Sequence, residues 1–336
     1  MSTRAVGPAA AIIFVMVASI VLPAQATGEG QARAVRTAAE GTAAEGSGLR
    51  TSWGDPDLQG VWDYRTITPL ERPRELADQA FFSADEIAQR EARAAARLDE
   101  VPDGEPTGGI TVHAPYWTDP GRFLLEGGRT SLIVDPSDGR VPPMTAEAAA
   151  GNRGGGGGFG TRADSWEDRS MMERCITQGL PRAIMPTLYN NNIHIVQAPG
   201  TVAIVHEMIH EARVIPLDGR AHLNAGLRPI IGDSRGRWEG ETLVVETTNF
   251  SEDSNFRGAT RNLRLVERLT RLDAATLGYE LTIDDPTVWT QPWTVAYPMR
   301  PSEGPIYEYA CHEGNYGLRN ILEVARDEEK AAAAAR

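Results

Sequence analysis

The stretch NNNIHIVQAPGTVAIVHEMIHEARVIPLDGRAH, residues 190–222, decides the fold. Residues 192–197 form an extended apolar run, Ala198-Pro199-Gly200 supplies a turn, and residues 201–205 form a second run rich in β-branched side chains. Two such runs on either side of a turn predict a β-hairpin. The stretch also contains four of the six histidines, so the fold and the candidate chemistry have to be settled together.

Residues 206–210 of this stretch spell His-Glu-Met-Ile-His, the H-E-x-x-H pattern of zinc peptidases. On a helix, His206 and His210 would stand one turn apart and could share one zinc ion, with Glu207 activating water. On a strand the two imidazoles would lie ~13 Å apart, too far for one ion. The β-branched residues before the motif, and Val-Ile-Pro at 214–216, favour a strand that continues through it. We therefore expect no cofactor, with zinc on His206 and His210 as the alternative.

The rest of the chain repeats the hairpin pattern, with apolar or β-branched runs separated by short polar turns. The predicted strand pairs are 235–238 with 241–248 and 263–272 with 277–284, followed by single strands at 289–299 and 305–311. Hairpins in succession, without intervening helices, indicate an antiparallel meander. We predict a mainly β protein whose sheet closes into a barrel, with a sandwich as the alternative and a few helices at its periphery.

The first 26 residues have the features of a secretory signal peptide. They combine Arg4, an apolar run at 9–22 and the small-residue cleavage site Ala24-Gln25-Ala26. The apolar run is shorter than the ~20 residues that a membrane-spanning helix needs. We therefore expect a mature chain that begins near Thr27, is periplasmic or secreted, and has no transmembrane segment after removal of the signal.

Composition divides the remaining chain into four parts. Residues 27–50 are small and polar, which predicts a disordered lead-in. Residues 51–185 mix aromatic residues, Pro- and Gly-rich loops and a helix that starts with a capping box at Ser83, so we expect an irregular and helical region packed on the β domain. The antiparallel β domain should occupy 186–325, and 326–336 should form a frayed C-terminal helix.

Charge and cysteine content restrict the possible partners. The formal net charge is −13, and no block of Lys or Arg is present. Because nucleic acids and anionic membranes are bound through concentrated positive charge, we expect no nucleic-acid partner. Cys175 and Cys311 are the only cysteines, and in an exported chain we predict that they form a disulfide. A reactive thiol or a metal ligand beside His312 is the alternative. The segment 164–176, which contains Cys175, has helix-forming composition.

Polar residues after two of the predicted strands are the candidate site. His, Glu, Asn and Tyr in a loop can supply an acid or base together with orienting hydrogen bonds. The candidate catalytic residues are His210, His312 and Glu313. The candidate ligand-binding residues are Arg213, His222, Asn315 and Tyr316. If 201–213 is one strand, Arg213 shares a face with Glu211, either as a solvated ion pair or as an anchor for a carboxylate or sugar-type ligand.

These residues support three functional hypotheses. The first is an exported protein that binds a small organic or carbohydrate-like molecule in the barrel mouth, with hydrolase or lyase chemistry as an extension. The second is a zinc-dependent hydrolase built on His206, Glu207 and His210. The third is an envelope structural or interaction protein without a ligand.

Short phrases along the chain resemble those of an uncharacterised family of secreted proteins from soil and marine bacteria. They are DPDLQGVWDYRTITPLERP, YNNNIHIVQ, HEMIHEARVIPLDGR, DSRGRWEGETLVVETTNF and YACHEGNYGL. The resemblance spans most of residues 52–325 and implies export and a shared fold, but no catalytic residue. In addition, Gly60-Val61-Trp62 and Gly236-Arg237-Trp238 resemble the G-x-W strand that opens lipocalin-like barrels, where the tryptophan closes one end.

Overall fold

Ten antiparallel strands form one sheet in the computed structural model, which describes residues 48–99, 119–151, 163–253 and 256–335. The strands are β1 Gly60–Asp63, β2 Ile133–Asp135, β3 Asn192–Ala198, β4 Thr201–His206, β5 Ala212–Pro216, β6 Asp233–Glu239, β7 Thr242–Thr248, β8 Arg264–Asp273, β9 Thr276–Asp284 and β10 Trp293–Pro301. The predicted signal peptide, 1–26, and nearly all of the predicted lead-in, 27–50, lie outside the described residues.

The sheet curves until its two ends meet. Its strand order is β5-β4-β3-β1-β10-β9-β8-β7-β6, with β2 beside β10. The end strands approach so closely that a Cβ on Gly236 of β6 would lie 2.9 Å from Ile215 Cγ2 of β5 and 2.5 Å from Leu217 Cδ2 just beyond it. Nine strands thus make a nearly closed barrel, which confirms the predicted antiparallel barrel.

Three α-helices occur within the described residues, α1 Ala84–Asp99, α2 Ala146–Ala150 and α3 Gly317–Ala334. The predicted capping box starts α1: the Ser83 amide donates to Glu86 Oε2 at 2.8 Å, and the Glu86 amide donates to Ser83 Oγ at 3.3 Å. Helix α3 has no buried residue and lies outside the barrel, as expected for a peripheral helix. No helix in the described ranges is long and apolar enough to cross a membrane.

Alternation along each hairpin fills the barrel with apolar side chains. In β8 and β9 the cross-strand pairs Leu265–Ile283 and Leu269–Tyr279 are buried, while alternate residues such as Val266 and Arg268 lie on the other face and are partly exposed. The three predicted hairpins, β3–β4, β6–β7 and β8–β9, are all present. Between Leu265 and Leu269, the same buried face carries Glu267, a charged residue inside the barrel.

The N-terminal region contributes to the barrel itself as well as packing on it. Strand β1 lies between β3 and β10, and Trp62 points inward with 1% of its surface exposed. Its indole Nε1 donates to the Leu58 carbonyl oxygen at 2.9 Å, and the Arg271 guanidinium lies 4.5 Å from the ring centroid. The predicted inward tryptophan of the first strand is confirmed.

Two predicted elements are wrong. Residues 305–311 form no strand, and the predicted helix at 164–176 is a short 3-10 turn, Trp166–Asp168, followed by further turns. Arg169 has an extended backbone, with φ −94° and ψ 146°, which ends the turn after Asp168, and Cys175 has a φ of 55°, which cannot continue a helix. Cys311 is bonded to Cys175, so the chain leaves the sheet after β10 to reach it.

The seam between β5 and β6 should tolerate no added atom at Gly236. We expect Gly236→Ala to lower the free energy of unfolding by about 1–3 kcal/mol, because its Cβ would overlap Ile215 and Leu217. Urea unfolding measures the change. As a control, Gly226→Ala places its Cβ 3.5 Å from Asn224 Oδ1, an ordinary contact, and should shift stability by less than about 0.5 kcal/mol. Equal stabilities of the two variants would contradict the tight seam.

Candidate functional site

The His-Glu-Met-Ile-His motif is a tight connection between β4 and β5. Strand β4 ends at His206, residues 208–210 make a 3-10 turn, and β5 begins at Ala212. Ile209 and His210 both have positive φ, 56° and 40°, so the chain reverses within the motif. The prediction that the strand continues through it is wrong, and the helix that a zinc peptidase needs is also not formed.

The two histidines of the motif lie in different surroundings. His206 is fully buried, and its Nδ1 lies 3.1 Å from the Ala183 carbonyl oxygen. His210 is exposed, with its Nδ1 3.2 Å from the Tyr309 carbonyl oxygen. Among the described residues, no group of three or more His, Cys, Asp or Glu side chains is arranged to hold a metal ion. The zinc alternative therefore has no geometric support in the motif.

Glu207 attaches the β4–β5 connection to the segment that follows β10. It is 4% exposed and accepts hydrogen bonds from Asn192 Nδ2 at 2.7 Å and from the Tyr307 amide at 3.4 Å. The contact between His210 and the Tyr309 carbonyl oxygen reinforces this attachment. The residues that looked catalytic in the sequence thus hold the 307–309 segment against the barrel end.

Glu211 fixes the connection to a second segment. Its Oε1 accepts a hydrogen bond from Thr177 Oγ1 at 2.6 Å. Burial raises the pKa of Glu211, and the Thr177 hydrogen bond and the nearby Arg213 charge oppose this only in part. The β4–β5 connection therefore joins the segment around Thr177 to the segment around Tyr309.

Arg213 lies inside the barrel. It pairs with Ile204 of β4 in the sheet, and its side chain is 2% exposed. Its two terminal nitrogens donate to the two oxygens of Glu267, at 2.6 and 2.9 Å, and Tyr279 OH donates to Glu267 Oε1 at 3.0 Å. Arg213 lies opposite Ile204, on the interior face, because the tight turn at 207–211 shifts the alternation of β5 relative to β4. The predicted solvated ion pair with Glu211 is not formed, since Arg213 pairs with Glu267 and Glu211 is bonded to Thr177.

The guanidinium of Arg213 is committed to Glu267. Burial alone would lower the pKa of Arg213, but the Glu267 charge and its hydrogen bonds outweigh burial and raise it. A bidentate pair of this kind occupies the donors that a ligand carboxylate would use. In this structure Arg213 serves the interior of the barrel and does not face its mouth.

A short turn covers the barrel end next to the motif. It is the 3-10 turn Arg182–Ile184, whose Ala183 and Ile184 are buried in the core. Tyr64 OH donates to the Ala183 carbonyl oxygen at 3.1 Å, and Tyr297 OH donates to the Ile184 carbonyl oxygen. Since His206 Nδ1 also contacts the Ala183 carbonyl oxygen, three polar side chains of the interior are bonded to this turn, which covers the mouth.

A cleft of about 1220 Å³ lies outside the closed mouth. Its walls come from three parts of the chain: residues within 167–182, the residues Glu252, Asp253 and Phe256, and residues within 308–318. Tyr189, Asn190, Ile230 and Ile321 complete the lining. The disulfide between Cys175 and Cys311 joins the first and third parts, with an Sγ–Sγ distance of 2.08 Å and a Cα–Cα distance of 5.6 Å. The predicted disulfide is confirmed, and it forms part of a ligand-sized cavity.

The loop that contains the candidate residues contributes to this cleft in part. Glu313 and Asn315 line it. His210 reaches it indirectly, through its contact with the backbone of Tyr309, which is a lining residue. His312 and Tyr316 are exposed and lie outside the lining.

His222 belongs to a separate cluster. Its Nδ1 lies 2.9 Å from Asp233 Oδ2, and Arg235 NH1 lies 2.6 Å from Asp233 Oδ1. The Leu223 amide also donates to Asp233, at 2.9 Å. Asp233 thus fixes the start of β6 to the preceding loop, and His222 is not one of the cleft-lining residues.

Aromatic residues of the cleft were missing from the sequence prediction. Tyr189 and Tyr309 stack with ring centroids 6.5 Å apart and an interplanar angle of 7°, and both line the cleft. Burial raises the pKa of Tyr309 to about 12, with Tyr189 adding to the effect. The two tyrosines lie 120 residues apart in sequence, so no local pattern joins them. Glu267 was visible as a charge on an apolar face of a predicted hairpin, but its partner was not.

The chain matches no protein-family model, and no curated protein is significantly similar to it. A functional proposal therefore has to come from the chemistry of the cleft and of the barrel end.

The Arg213–Glu267 pair should be strongly coupled. We expect Arg213→Met and Glu267→Gln each to lower the free energy of unfolding by about 3–5 kcal/mol, because each leaves a buried group without its partner. The double variant should cost less than the two single changes added together, by at least about 1 kcal/mol. Urea unfolding of all four proteins measures this coupling. Additive losses would show that the pair does not act as a unit.

His206 should make stability depend on pH. Burial, followed by the Arg213 charge, lowers the pKa of His206 to about 3, and the Ala183 hydrogen bond opposes this in part. A histidine in the unfolded chain takes up a proton near pH 6.5, so stability is lost as the pH falls below that value. Between pH 7 and 5 this loss amounts to about 2 kcal/mol.

The comparison that isolates this effect is wild type against His206→Gln, each unfolded in urea at pH 7 and pH 5. We expect the stability difference between the two proteins to shrink by about 2 kcal/mol at the lower pH. A difference that stays constant would mean that the buried imidazole is not responsible.

Proposed function

We propose that this chain is an exported barrel protein that binds a small organic or carbohydrate-like molecule in the cleft outside the Arg182–Ile184 turn. The cleft volume of about 1220 Å³ is the observation that carries the proposal. Sites for small molecules typically have volumes of ~300–1,000 Å³, so the cleft has room for a ligand of that class. The barrel interior, in contrast, is filled by side chains and closed by the turn.

The lining of the cleft combines the two kinds of surface that such ligands need. Tyr189, Tyr309 and Phe256 supply apolar and aromatic surface, and Asn315 and Gln178 supply amide groups. Aromatic rings stack on the apolar faces of sugars and organic rings, and amide and carboxylate groups bind their hydroxyl groups. This mixture supports a hydroxylated ligand better than a purely apolar one.

The clamped walls also support a binding role. The disulfide fixes the 308–318 wall to the 167–182 wall, and the β4–β5 connection is hydrogen-bonded to both neighbouring segments. Sites whose walls are held in place before binding lose less free energy on ordering. A disulfide of this kind is typical of an oxidising compartment, which supports the export predicted from the first 26 residues.

Chemistry on the bound molecule stays a prediction. Of the three candidate catalytic residues, only Glu313 lines the cleft, while His210 and His312 lie outside the lining. Glu313 is exposed and could act as an acid or base toward a ligand in the cleft. Binding is therefore the function that the geometry supports best.

A ligand that binds in the cleft should raise the melting temperature of the protein. We expect at least one class in a panel of mono- and disaccharides, amines and phenolic compounds to raise the melting temperature. At a concentration 100 times its Kd, a ligand adds about 2.7 kcal/mol to the stability of the folded state. Titration calorimetry of the strongest ligand then gives its affinity.

Two tyrosine variants distinguish the cleft from the rest of the surface. Tyr309→Ala removes a lining aromatic residue and should weaken binding at least tenfold, whereas Tyr307→Ala removes a side chain that is 68% exposed and outside the lining. The Tyr307 variant should bind as wild type does. If no ligand class shifts the melting temperature, the proposal is wrong and a structural role in the envelope is favoured.

A further inference from the structure

The charge of the cleft selects among the ligands that would fit it. Among the described residues, seven carboxylate side chains and three guanidinium groups line it. The carboxylates are those of Glu167, Asp168, Glu173, Glu252, Asp253, Glu308 and Glu313; the guanidinium groups are those of Arg169, Arg174 and Arg182. The lining therefore carries an excess of four negative charges. A concave surface lined mainly by one sign of charge concentrates ligands of the opposite sign and repels those of the same sign.

Two of the three arginines already have partners in the cleft wall. Arg169 is buried and lies 2.5 Å from Glu173, and the Arg174 guanidinium lies 4.5 Å from the ring centroid of Trp166. In contrast, Glu308 and Glu313 are exposed on the opposite wall. Two of the carboxylates are also paired, Glu173 with Arg169 and Glu252 with Arg261, which is outside the lining. The five other carboxylates of the described lining still outnumber Arg174 and Arg182, so negative charge remains in excess.

The cleft also contains uncharged groups that bind cations. The faces of aromatic rings attract cations, and the stacked Tyr189 and Tyr309 lie on the same lining as the carboxylates. Gln178, another lining residue, has a buried Oε1 that accepts no hydrogen bond from the described part of the chain. A buried acceptor of this kind is satisfied by a donor from outside, and an ammonium group has donors only.

We infer that the cleft takes a positively charged ligand, an organic molecule with a primary ammonium group on a sugar-like or aromatic body. The inference rests on the proposed function and makes it narrower, because it excludes the carboxylate-bearing ligands that Arg213 would have suggested. Arg213 is paired with Glu267 inside the barrel and does not line the cleft.

Two series of ligands that are similar in size and differ in charge test this inference. The first is glucosamine, glucose and glucuronate; the second is phenethylamine, 2-phenylethanol and phenylacetate. Calorimetry is carried out at pH 6, where both amines are protonated. In at least one of the two series, the amine should bind at least ten times more tightly than the neutral compound. The carboxylate member should bind more weakly than the neutral one. The preference for the amine should decrease between 0.05 and 0.5 M salt, because salt screens exposed charges.

Two double variants test whether the carboxylates of the cleft cause the preference for the amine. Glu308→Gln/Glu313→Gln removes two exposed lining charges and should reduce the preference for the amine at least threefold, with little change for the neutral member. Glu303→Gln/Glu328→Gln removes two exposed charges that are outside the lining, and it should behave as wild type. Circular dichroism checks that all variants are folded.

The possible failures of the two proposals differ. Equal binding of neutral and cationic members, or tighter binding of the carboxylate, overturns the charge preference and leaves the proposed binding function in place. Equal effects of the two paired variants overturn the assignment to the cleft walls. If none of the six compounds binds and the wider panel also gives no shift, both proposals are wrong.

Discussion

The ion pair between Arg213 and Glu267 is the interaction on which the rest of the structure depends. Both side chains are at most 2% exposed, and removing two charges from water costs several kcal/mol for each ion. The bidentate geometry and the Tyr279 hydroxyl compensate for this cost. The pair connects β5 to β8 across the interior, at the side where the sheet order ends. The barrel is therefore held closed by a polar contact at its centre as well as by apolar packing.

The same polar interior explains why the candidate site lies outside the barrel. Tyr64, His206 and Tyr297 are satisfied by the carbonyl oxygens of the Arg182–Ile184 turn, so the turn is bound to the mouth by hydrogen bonds and by the burial of Ile184. A ligand in the mouth would have to replace all of these contacts. A ligand on the outer side of the turn would not have to replace these contacts. The Arg182 side chain of the turn forms part of the cleft there.

Alternating patterns predicted the hairpins because each strand has one buried face, and turns such as Ala198-Pro199-Gly200 were marked by their own residues. The turn at 207–211 was not predictable in this way, since Ile209 and His210 adopt positive φ without a Gly or Asn to mark it. Contacts from distant segments stabilise it instead. The disulfide could be predicted from two cysteines in a chain that is predicted to be exported, whereas the cleft is formed by segments that only the folded chain brings together.

The disulfide between Cys175 and Cys311 attaches one wall of the cleft to another. The cysteines are separated by 136 residues, and the wall around Cys311 has no strand to hold it in the sheet. The strand pairing of the barrel does not depend on this bond, but without it one wall of the cleft would lose its covalent attachment. If the cleft binds a ligand as proposed, a reducing environment would therefore loosen the binding site and leave the barrel in place.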